Sequence, residues 1–176
     1  TVSVLYCLFV PSIPSDQMSR ISARLTELGV TLPTPPTAAA NYLPYQRCGN
    51  QVHVAGQLPK LGDTFIKGKV GGNVSPEEGA AAAKMCIINL LAQVQAAAGG
   101  NLDRVKTIVK LNVFVNSDPA FEGHPLVANG ASDFIGEVFG EQGRHARSAV
   151  GVAALPFNAA VEIDGIVELH DEASKL

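Results

Sequence analysis

A chain of 176 residues, 47% apolar and 16% charged, is long enough for one compact domain that buries about two thirds of its unfolded surface. The formal net charge of −3 supplies no broad cationic field, which argues against nucleic acid as an obligatory partner and leaves small anions, which need only a local arginine. Three cysteines, Cys7, Cys48 and Cys86, and four histidines, His53, His124, His145 and His170, lack the spacing of a disulfide framework or a metal site, so no metal and a reducing cytoplasm are expected.

Residues 2–10 are apolar, yet they lack a basic leading region and fall far short of the roughly 20 residues that cross a bilayer, so neither signal nor anchor is expected. Residues 1–17 read as an arm from cloning or an upstream reading frame, with Met18 as the natural start, or else as an accessory strand on a sheet edge. The domain proper is then 18–176. Ser19 as N-cap, Ile21, Leu25 and Leu28 at helical spacing, and Gly29 as a stop predict a short helix. Pro33, Pro35 and Pro36 enforce extended backbone before Tyr42 and Tyr45, and a strand is expected over 51–55. The glycines between 62 and 73 do not form a phosphate loop. Gly62 and Gly68 are one residue too far apart, and Val70 stands where Ser or Thr is required. Lys60, Lys67 and Lys69 are expected on a solvated hairpin rim.

Ser75, Pro76, Glu77 and Glu78 combine an N-cap, a proline at the first helical position and an acidic first turn. Ala83, Ile87, Leu90, Leu91 and Val94 carry that helix on to Gly99 and Gly100, and Cys86 within it is expected to be a small buried thiol. Residues 105–115 alternate as a central strand. A second helix follows, with Pro125 at its first position and Val127, Ala131, Phe134 and Val138 at helical spacing up to Gly140.

Residues 147–167 read as a β-hairpin, two alternating β-branched runs flanking a Leu155-Pro156-Phe157-Asn158 turn. Arg147 offers a planar fork of donors to a carboxylate, with the small Ala149, Gly151 and Ala153 beside it and Val150 and Val152 on the core face. A surface ion pair suits the same arginine. Glu162 falls opposite Val150 or Gly151 in such a hairpin, about 13 Å from Arg147 at roughly 3.3 Å per residue. The two would then converge on a ligand or serve different clefts. The element order predicts an α+β layer, a mixed sheet with two main helices on one face.

Arg147-Ser148, Val150, Leu155-Pro156 and Val161-Glu162-Ile163 resemble, in order and spacing, the closing signature of the RidA/YjgF/UK114 family, also known as L-PSP endoribonucleases. Tyr42-Leu43-Pro44-Tyr45 resembles its tyrosine-bearing entry segment, Val54-Ala55-Gly56-Gln57-Leu58-Pro59 its Ser-Gly-Gln-Ile/Leu-Pro segment, and residues 109–115 its central strand. The resemblance spans residues 38–169, and the run 143–148 looks closer to the larger, YjgF-like branch. It implies the chorismate-mutase-like fold and a homotrimer with a cleft at each subunit interface. It implies a small carboxylate metabolite as partner, rather than a membrane or a nucleic acid.

The resemblance also implies hydrolysis of reactive enamines and imines to a 2-keto acid and ammonia. Arg147 would hold the carboxylate, the backbone around Gly56 and Ala149 would orient the nitrogen end, and Glu162 would position or deprotonate water. Tyr45 and Asn129 would close the cleft. No cofactor is needed, because a protonated imine is already an electrophile. Ala149 stands where the archetype carries Cys, which removes a polar group from the pocket. Two rival classes remain, a non-catalytic carboxylate-binding trimer in which Glu162 is a structural acceptor, and a ribonuclease, against which the acidic balance and missing basic or aromatic stripe both speak.

Overall fold

The computed structural model describes residues 19–38 and 40–171, so the readings of residues 1–17 lie outside the described residues. The first helix, α1 (Arg20–Glu27), is capped by Ser19, whose side chain accepts from the Ser22 amide, and it buries Ile21 and Leu25. Strands β1 (Tyr45–Cys48) and β2 (Gln51–Gln57) form an antiparallel pair, and β3 (Lys60–Leu61) and β4 (Thr64–Phe65) make a separate small one. The long helix α2 (Pro76–Ala97) starts in a full capping box between Ser75 and Glu78. Strand β5 (Val105–Asn116), helix α3 (His124–Phe139), strand β6 (Ala146–Val152) and strand β7 (Val161–Leu169) complete the chain.

The main sheet runs β1-β2-β7-β5-β6, and it is mixed because β5 and β6 are parallel while the other pairings are antiparallel. Helices α2 and α3 pack on one face. Their apolar stripes close over Leu111, Val113 and Val115 of β5 and Val161, Ile163 and Val167 of β7, all fully buried. Gly130 lets the helices approach, since a Cβ there would stand 2.1 Å from the Ala80 carbonyl oxygen. Cys86 is buried in this core, and burial first, with the Glu162 charge second, pushes its thiol well above its ordinary pKa. It is therefore a packing residue.

Residues 147–167 do not form a hairpin. β6 and β7 lie on opposite sides of β5 and never pair with each other, and the link between them passes the end of β5, where the Asn116 amide donates to the Ala160 carbonyl at 2.9 Å. Alternation assigns faces but not neighbours, and β5 satisfies the backbones of both strands better than a tight turn joining two edges could. The valine assignment fails with it. Val150 is 48% exposed on the open face, whereas Arg147 and the partly buried Ala149 lie on the helix side, level with Leu111 and Val113. Lys69 also leaves the solvated rim. Its Nζ donates to Asn116 Oδ1 at 2.9 Å and to the Ala153 carbonyl at 3.0 Å, because the end of β5 and the start of the β6–β7 link converge there.

Candidate functional site

Arg147 projects from edge strand β6 toward α3. Its Nη1 donates to Asn129 Oδ1 at 3.0 Å and to Ser132 Oγ at 2.9 Å, and its Nη2 donates to the Pro125 carbonyl at 3.3 Å. Both Nη1 protons are thus committed. The Nε proton and one Nη2 proton make no hydrogen bond among the described residues, and a guanidinium edge of this kind receives a carboxylate through two parallel bonds. Asn129 and Ser132 reach the guanidinium together because positions three apart share one face of a helix.

Ser132 Oγ also lies 3.0 Å from His145 Nε2, and His145 Nδ1 lies 2.6 Å from the Gly143 carbonyl oxygen. These side chains line a shallow depression with Gly136, Glu141 and Arg144. Arg144 and Glu141 form a 3.0 Å ion pair at its exposed rim.

Glu162 stands on the other face of the sheet, beside Phe114 of β5 and on the same side as Asp164. Its carboxyl covers Gly56, where a Cβ would meet Glu162 Oε1 at 1.8 Å, so only glycine leaves the carboxylate its place. Gly56 lies where the β2–β7 register shifts. Desolvation raises the Glu162 pKa above the ordinary carboxylate value, and the nearby Asp164 charge adds to the rise. Asp164 itself accepts a 2.7 Å bond from Asn112 Nδ2. Beyond Gly56 lies a pocket of about 440 Å³ lined by Pro36, Tyr42, Gln57, Phe65, Asn89 and Phe157 among others.

The structure therefore sorts five of the six residues singled out in the sequence into two groupings. Arg147, Asn129 and Ala149 share the helix side of β6, while Glu162 and Gly56 share the open side. Tyr45 packs against the core, and it is Tyr42 that lines the pocket. Arg147 is level with Leu111, and Glu162 with Phe114, so they differ by three residues along the strands, by two strands across the sheet and by face. At roughly 3.3 Å per residue and 4.8 Å per strand their backbones are about 14 Å apart. One copy of the chain cannot place both on one small ligand.

Sequence reading passed over Ser132 and His145, although the spacing of Ser132 from Asn129 on α3 and of His145, just before β6, from Arg147 was available as a signal. It also passed over Asn89 and Gln93. Gln93 Nε2 holds the Pro36 carbonyl at 2.6 Å, and Asn89 Nδ2 holds those of Leu58 and Lys60 at 2.9 Å, so α2 fixes two walls of the pocket. Among the described residues no three His, Cys, Asp or Glu side chains gather as metal ligands.

Residues 22–169 match the family model described as "YjgF/chorismate_mutase-like, putative endoribonuclease". Protein TCP17 of Trypanosoma cruzi is 54% identical over 155 residues, covering 86% of this chain and 96% of the relative. The crystal structure of Atu1372 from Agrobacterium tumefaciens superposes with a TM-score of 0.80 at 50% identity, covering 86% of this chain and 93% of that one. The 2-iminobutanoate/2-iminopropanoate deaminase of Dermatophagoides farinae is 29% identical over 141 residues, covering 80% of this chain and 95% of the relative. A sheet of this topology, two helices on one face, and a match that runs from α1 to the end of β7 together place this chain in the YjgF/chorismate mutase-like family.

Proposed function

We propose that the chain hydrolyses 2-imino and enamino acids to 2-keto acids and ammonia, and that it does so as a homotrimer in whose clefts Arg147 of one copy faces the partner's Glu162. The observation that carries this reading is the guanidinium edge, held from behind by Asn129, Ser132 and the Pro125 carbonyl, whose Nε proton and second Nη2 proton make no hydrogen bond among the described residues and suit a carboxylate. The separation of Arg147 from Glu162 supports the oligomer, since the two faces can serve one ligand only across two copies. The open sheet face, with Val150 at 48% exposure, supports association as well. The deaminase relative from D. farinae supports the reaction.

In this reading Arg147 fixes the carboxylate, and Glu162 takes a proton from the water whose oxygen attacks the imine carbon. The carbinolamine nitrogen takes that proton back from Glu162 and leaves as ammonia, while the hydroxyl oxygen gives its own proton to the Glu162 carboxylate and becomes the ketone oxygen. The raised pKa of Glu162, caused by burial first and the Asp164 charge second, makes its carboxylate a stronger base than an ordinary one. Purified protein should release ammonia and keto acid from enzymatically generated imines of several amino acids, and Arg147→Ala should not. A second reading, a non-catalytic carboxylate binder, is favoured by the completeness of the Arg147 grouping within one copy and by the apolar Ala149 beside it. Keto-acid binding without imine hydrolysis would select it.

A further inference from the structure

We infer that Ser132 and His145 are positioning residues for the carboxylate site, a directional hydrogen-bond chain running from Arg147 through Ser132 and His145 to the Gly143 carbonyl that locks the guanidinium. The inference rests on the carboxylate-holding part of the functional proposal and not on the hydrolysis.

With the imidazole neutral, each link has one permitted direction. A carbonyl oxygen only accepts, so the 2.6 Å contact with Gly143 puts the proton of the neutral imidazole on Nδ1. Nε2 is then an acceptor, and the Ser132 hydroxyl 3.0 Å away must donate to it. With its proton committed, Ser132 Oγ turns its lone pairs to Arg147 Nη1, which can only donate, at 2.9 Å. Had the imidazole carried its proton on Nε2, the hydroxyl would have been free to rotate.

The acceptor that ends the chain is itself held. Gly143 is buried in a 3-10 turn spanning Gly140–Gly143, and a Cβ at 143 would meet the Ile135 carbonyl oxygen at 2.7 Å. Helix α3 and this turn therefore fix the Gly143 carbonyl, the carbonyl fixes the tautomer of His145, and the tautomer fixes the serine rotamer. Asn129 takes the other Nη1 proton. The guanidinium plane is set before any ligand arrives, which lowers the ordering cost of a two-pronged carboxylate bond.

The test uses the full chain with arginine labelled in its side-chain nitrogens, 2-ketobutyrate as the probe, and three variants. Ser132→Ala cuts the chain, Ser132→Thr keeps the hydroxyl, and His145→Phe keeps the ring but removes its acceptor. Wild type and Ser132→Thr should show separate, slowly exchanging Nη resonances for Arg147, which Ser132→Ala and His145→Phe should average through faster rotation about the Nε–Cζ bond. Keto-acid affinity should fall about five- to tenfold in the two averaged variants and stay within about twofold in Ser132→Thr. Unchanged Arg147 resonances in folded Ser132→Ala would overturn the chain. A wild type with locked resonances that binds no keto acid would overturn the carboxylate site and leave the chain standing.

Discussion

If Arg147 and Glu162 meet only across two copies, two inactive variants should repair one another. In Arg147→Ala every cleft lacks the carboxylate fork, and in Glu162→Gln every cleft lacks the base, so each alone should lose about 10²-fold or more in imine hydrolysis. A mixed oligomer differs. A cleft works when its arginine comes from a Glu162→Gln copy and its glutamate from an Arg147→Ala copy. Random mixing at equal concentrations satisfies both conditions in about one quarter of clefts. The need for two copies follows from the separation of the residues on opposite sheet faces, about 14 Å apart by strand spacing and rise. A site formed within one copy would instead regain nothing, because every copy carries one lesion. The assay is keto-acid release after co-expression of the two variants with different tags, with native mass spectrometry to count mixed oligomers. No recovery despite abundant mixed oligomers would refute the shared cleft.

Arg147→Lys should weaken 2-ketobutyrate binding by about 1.5–3 kcal/mol, since an ammonium cannot replace the two-pronged fork or keep the bonds to Asn129 and Ser132, and calorimetry measures this. Gly56→Ala should leave the melting temperature nearly unchanged while cutting imine hydrolysis about tenfold, because the new methyl displaces only the flexible end of Glu162. The raised pKa of Glu162, caused by burial first and Asp164 second, has a stability signature. Its protonated form stabilises the fold, a contribution fully present below the ordinary carboxylate range and lost as pH rises through the raised value. Glu162→Gln stays neutral, so its melting temperature should gain on wild type as pH climbs above the ordinary carboxylate range of about 4, and a constant difference would contradict the burial argument. In wild type, imine hydrolysis should fall on acidification through a midpoint above the usual carboxylate range, read from the pH profile of kcat/KM.

Local chemistry alone determined the elements. The capping box at Ser75, the glycine stop after Leu28 and the proline at 125 each act over one helical turn, so the three helices were legible before any packing was known, although α3 begins at His124 and Pro125 takes its second position rather than its first. The period-two run ending at Val167 likewise shows which residues of β7 are buried, because alternation is a property of one strand, whereas in the run expected over 105–115 two register shifts break the alternation, so that Val105 and Ile108 are buried before it settles at Leu111, Val113 and Val115. The order of strands is not such a property. Whether β6 pairs with β7 or with β5 depends on which backbones meet across the sheet, and β5 is nearly thirty residues earlier in the chain. Tertiary structure therefore placed Arg147 on the helix face and Glu162 on the open face, a choice that the hairpin reading, with the two converging on a ligand or serving different clefts, had left open. It also assembled the Arg147–Ser132–His145 chain. Side chains from a helix, a turn and an edge strand meet there through packing, and no spacing along the sequence encodes the 2.6 Å contact that orients the imidazole.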